Sequence, residues 1–116
     1  MITEDYVSFE VAKLLKEKGF NGECVMFKDI VEKTFGTEWN AESTYSVPIP
    51  TLQMAMKWLR KTHGIDIIIE VSDPVKDRKY YCMIWDGNNN SYILDLFNSH
   101  EEACEAAIEY VLENLI

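Results

Sequence analysis

Residues 65–97 decide the fold: Ile65-Asp66-Ile67-Ile68-Ile69-Glu70-Val71, a polar loop, then Lys79-Tyr80-Tyr81-Cys82-Met83-Ile84-Trp85, Asp86-Gly87-Asn88-Asn89-Asn90 and Ser91-Tyr92-Ile93-Leu94-Asp95-Leu96-Phe97. In the first run Ile65, Ile67, Ile69 and Val71 alternate with Asp66, Ile68 and Glu70, the period of a half-buried strand. Residues 79–85 are rich in Tyr, Ile and Trp and carry apolar side chains on both faces, so they read as a second strand. Residues 86–90 have the composition of a hairpin turn, and Tyr92 to Phe97 return as the third strand.

Helices flank this unit. Pro50 precedes Thr51, a good N-cap, and Gly64 supplies a left-handed stop, which predicts a helix over 52–63. Leu52, Ala55, Met56, Leu59 and His63 share one face of it. Met54 and Trp58 form an i,i+4 pair on a flank that a sheet does not fully cover. Downstream, Ser99 with Glu102 three residues later is a capping box opening the last helix. Its expected buried stripe is Cys104, Ala107, Ile108, Val111 and Leu115, with Glu102, Glu105, Glu109 and Glu113 along the opposite side. At the other end of the chain Val7, Val11, Leu14 and Leu15 recur at helical spacing. Thr3 or Ser8 is the expected cap, Lys18 the last helical residue and Gly19 the stop.

The segment 20–50 is the least patterned. Residues 24–27 suggest a short strand, and 29–32 either a helical turn or a second strand. Residues 36–50 read as a loop with Trp39 and Tyr45 as apolar anchors. A loop of that length needs a berth, and the expected one is the Met54–Trp58 flank, with a second copy or another protein as the other covers. The expected fold is α+β: an antiparallel sheet of three or four strands packed against helices, in the order α-β-(loop)-α-β-β-β-α. Residues 1–116 form one domain in this reading, with 50–116 as an α-βββ-α core and 1–49 as helix, short strand and long loop.

Composition narrows the function classes. The chain has 116 residues, 47% of them hydrophobic, which is enough for one core without disulfide or metal. The net charge of -9 repels nucleic-acid phosphate and anionic lipid and suits a basic partner. Cys24, Cys82 and Cys104 are odd in number, form no C-x-x-C pair and sit in apolar runs, as free thiols of a reducing compartment do. The N-terminus lacks the basic and apolar regions of a signal peptide, and no apolar run approaches a membrane span. The expected location is cytoplasmic.

Candidate chemistry is sparse. Asp86, Asn88 and Asn90 stand at the first ligand spacings of a calcium loop, but Ser91 replaces its glycine and Phe97 its bidentate glutamate. His63 and His100 form no metal or protease motif. Nothing beside the cysteines favours a thiolate. No catalytic residue, metal ligand or cofactor is therefore assigned. The candidate interaction patch is Met54 and Trp58 together with the glutamates Glu102, Glu105, Glu109 and Glu113.

Two resemblances bear on origin. The order helix, three strands, helix from Pro50 onward, with Ser99-His100-Glu101-Glu102-Ala103-Cys104-Glu105-Ala106-Ala107 opening the last helix, resembles the double-stranded RNA-binding domain. The resemblance implies a fold, but that family's phosphate-binding lysines fall at His100, Glu101 and Cys104, so it argues against the activity. The segments YVSFEVAKLLKEKGF (6–20), PTLQMAMKWLR (50–60) and EEACEAAIEYVLENLI (101–116) resemble a group of small phage- and prophage-encoded proteins of gut anaerobic bacteria. This implies a mobile-element context and assigns no site residue. The sequence reading is a non-catalytic accessory protein acting on a protein partner or as a homodimer, with a degenerate nucleic-acid binder as the alternative.

Overall fold

Thr51 and Gly64 bound their helix where the sequence placed them. The Thr51 hydroxyl accepts the Met54 N–H at 3.1 Å, and Gly64 turns the chain at φ 67°. In the computed structural model, which describes residues 2, 4–20, 27–29, 46–72 and 78–116, the element order is α1 (Phe9–Glu17), β1 (Phe27–Asp29), β2 (Ser46–Pro48), α2 (Leu52–His63), β3 (Asp66–Val71), β4 (Tyr80–Trp85), β5 (Ser91–Phe97) and α3 (His100–Asn114). The class is α+β, as expected.

Strands β3, β4 and β5 form an antiparallel sheet in that order, and β1 and β2 form a separate antiparallel ribbon. The register puts Ile68 opposite Met83 and Met83 opposite Ile93. A bulge between Tyr80 and Cys82 sets Leu94 against Cys82 and Phe97 against Tyr80, so Asp95 and Leu96 together face Tyr81. Helix α3 lies across all three strands, α2 lies against β3, and α1 packs on α3 and β2. The shared core joins Val11 and Leu15 of α1, Val47 of β2, Leu59 of α2, Ile84 of β4 and Ile108 of α3, all fully buried.

Three expectations change. Val7 is buried but precedes α1: its N–H donates to the Pro50 carbonyl at 3.0 Å, and Tyr6 bridges Thr51, so the helix starts after Ser8. The reason is that Ser8 caps Val11 with its hydroxyl, while the extended residues before it find backbone partners at the start of α2. Within 36–50, residues 46–48 are strand rather than loop, and Val47, Pro48, Ile49 and Pro50 are buried. On α3 the inner stripe takes in Ala103 and Leu112, while Leu115 is only half-buried. Of the strand expected at 24–27, residues 24–26 lie outside the described residues, and β1, Phe27–Asp29, shares only Phe27 with it. Thr3, Cys24, Trp39, Tyr45 and most of the 29–32 alternative lie outside the described residues.

Candidate functional site

The sequence candidates separate into two places. Trp58 is half-buried on α2, edge-on to Phe20 at 5.5 Å between ring centroids and to His63 at 5.0 Å. Phe20, just past α1, thus occupies part of the flank, while Met54 one turn earlier remains exposed. The expected cover by Trp39 and Tyr45 lies outside the described residues. On α3, two of the four glutamates are engaged. Glu102 accepts the Asn98 N–H at 3.1 Å, completing the cap at Ser99 one residue earlier than a standard box. Glu105 accepts the Ser8 N–H at 2.8 Å, tying the start of α1 to α3 across the fold. Glu109 and Glu113 are exposed. A hollow of about 530 Å³ is walled by Tyr6, Phe97, Glu101, Glu102, Glu105 and Glu109 among others, and neither Met54 nor Trp58 reaches it.

One pairing was not legible from spacing. His100 Nδ1 lies 3.5 Å from Cys104 Sγ, one helical turn away. The surroundings of the pair disfavour the thiolate. The thiol is 1% exposed, and burial first, then the carboxylates of Glu101 and Glu105 and the neighbouring Cys82, push it up to about 12. Burial likewise raises Cys82. A reactive cysteine needs the opposite environment, because the thiolate does the chemistry. Among the described residues no three His, Cys, Asp or Glu side chains are grouped to hold a metal ion. The Asp86 carboxylate accepts the Asn88 N–H at 2.8 Å and the Asn90 N–H and side-chain amide at 3.3 and 3.2 Å. The Asn88 backbone bond leads the causes that hold it below the usual carboxylate range.

The face of the sheet turned away from the helices is the more informative surface. Burial alternates residue by residue along β3 and along β5 as far as Asp95, where the bulge leaves both Asp95 and Leu96 exposed, and the more exposed positions include large apolar side chains. Ile68 is 42% exposed, Trp85 39%, Ile93 59% and Leu96 59%; these are four of the six exposed large apolar residues among those described. The register assembles them. Ile68, Met83 and Ile93 form one row across the three strands, and Trp85 stands beside it between Asp66 and Ser91. Tyr81 stands on the other side, its hydroxyl donating to Glu70 Oε2 at 3.1 Å. That bond, followed by the Glu70 charge, raises the Tyr81 phenol. Asp66, Glu70 and Asp95 rim the apolar row, all exposed. Lys79 follows the same parity at one end, where its ammonium is tied to the Asn98 side chain.

Sequence reasoning missed this surface. The signal was present: Ile68 interrupts the polar half of an alternating strand, and residues 79–85 are apolar on both faces. A helix flank such as Met54–Trp58 follows from i,i+4 spacing alone, whereas a sheet row needs the register. No helix among the described residues is long and apolar enough to cross a membrane. Comparison with protein-family models, with curated proteins and with solved structures gives no match.

Proposed function

We propose that the chain is a non-catalytic protein-interaction module of a mobile-element context, and that it engages its partner through the open face of the β3–β4–β5 sheet. The observation that carries the reading is the row Ile68–Met83–Ile93 with Trp85 and Leu96 beside it, on a face that no described helix covers. A sheet face left to water ordinarily carries polar residues, and a contiguous apolar patch ringed by polar groups is the usual mark of a contact surface. Two further features support it. Burial and acidic neighbours disfavour the thiolate in the cysteine–histidine pair. At one of the positions where the double-stranded RNA-binding domain, which the chain only resembles, has a phosphate-binding lysine stands Cys104, whose side chain is buried, and another is the acid Glu101.

The experiment compares the wild-type chain with Ile68→Lys/Ile93→Lys as bait in extract from the native host. Both positions are exposed, so the fold should tolerate the change within about 1 kcal/mol for the pair. The expected result is a partner held by the wild type and lost by the variant at equal melting temperature. Equal capture by both would refute the assignment to this face.

A further inference from the structure

We infer that the occupant of the open face is a single amphipathic helix whose apolar spine is flanked by lysine or arginine, an inference that rests on the proposed function. Width comes first. Neighbouring strands lie about 4.8 Å apart, so β3 and β5 are roughly 10 Å apart across β4. That is the diameter of one helix with its side chains, about 10–12 Å. The inner face already shows the fit, since α3 alone spans the three strands there. Length agrees as well: the six residues of β4 extend about 20 Å, the rise of about four helical turns.

Charge selects the chemistry of the flanks. The apolar row runs between Asp66 and Glu70 on β3 and Asp95 on β5, within a chain of net charge -9. A helix lying along β4 would set its sides against those carboxylates, so lysine or arginine is favoured there and glutamate or phosphate is disfavoured. The same rim argues against a second copy. A two-fold contact sets one patch against itself, so both sets of carboxylates would crowd a single interface.

The test uses two synthetic helices about four turns long, one of leucine and lysine and a twin of leucine and glutamate. Binding is followed by NMR of the Ile68, Met83 and Ile93 methyl groups in the full chain. The lysine peptide should shift those methyls, bind at least tenfold more tightly than its twin, and weaken as salt is raised. Ile93→Lys should abolish its binding, and Asp66→Asn with Glu70→Gln should weaken it several-fold. Glu109→Gln with Glu113→Gln on α3 should leave it unchanged. Equal binding of the two peptides at the same methyls would overturn the basic helix while leaving the open face as a contact surface. Shifts confined to α3 would overturn the choice of face itself. Binding of neither peptide, or self-association of the free chain that Ile93→Lys abolishes, would overturn the inferred occupant.

Discussion

The two faces of the β3–β4–β5 sheet are built from the same kinds of side chain and meet different surroundings. Ile84, Cys82, Leu94 and Ile69 point toward the helices, and Ile84 and Cys82 are sealed from water. Ile68, Met83, Ile93 and Trp85 point away, and no described helix lies over them. Residue type therefore does not distinguish core from contact surface here. Strand parity assigns each side chain to a face, and the helix connections decide which face is covered. The inner face supplies folding free energy, whereas the exposed side chains of the outer face contribute less to folding, and in the proposed function they supply binding free energy.

The largest expected difference between the faces is in stability. Ile84→Ala empties a fully buried site between β4 and the helices and should cost about 2–5 kcal/mol, read by urea denaturation. A loss as small as that of a surface change would mean that the inner face is not the core. Trp58→Ala tests an intermediate case. The indole is half-buried, covered on one side by Phe20, so about 2 kcal/mol is expected, below the full-burial range for tryptophan. A loss of 4 kcal/mol or more would show that more of the chain closes over that flank.

Alkaline pH separates a dry face from a wet one. Cys104, under the sheet's inner side, keeps its proton to about 12 in the folded chain against an ordinary value of 9.0. The unfolded thiol ionises first, so this contribution to stability is intact below pH 9 and is lost as pH rises from there toward 12. Unfolding free energy should accordingly fall more steeply above pH 9 for the wild type than for Cys104→Ala, and the two slopes should coincide near pH 7. Parallel slopes throughout would mean that the thiol is solvated. The smallest expected effect belongs to the outer face. Ile93→Lys alone should leave stability within about 0.5 kcal/mol of the wild type, because the side chain is already 59% in water.

Much of the fold was legible because local signals agreed with tertiary structure. Thr51 and Gly64 bound α2, Ser99 and Glu102 open α3, and the hairpin turn at Asp86 closes β4 onto β5. These depend on residues within a few positions of one another, which one sequence carries. What was not legible depends on distant partners. Val7 keeps helical spacing with Val11 yet bonds to Pro50. Glu105 has the periodicity of a solvated ridge yet holds the Ser8 N–H. The short β2, with Pro48 at its end, gave no alternation to read. The row on the outer face of the sheet was hidden for the same reason. Met54 and Trp58 are visible as an i,i+4 pair, but the row Ile68–Met83–Ile93 spans three strands and exists only once the register is fixed.

Site-specific photo-crosslinking in the native host tests most directly whether the partner sits on the open face. A photoreactive residue replaces Ile93 on the sheet or Glu113 on α3, both exposed to solvent. The expected result is one dominant adduct with another protein from position 93 and none from position 113. An adduct from position 113 with none from position 93 would contradict the account and return the contact surface to the glutamates of α3.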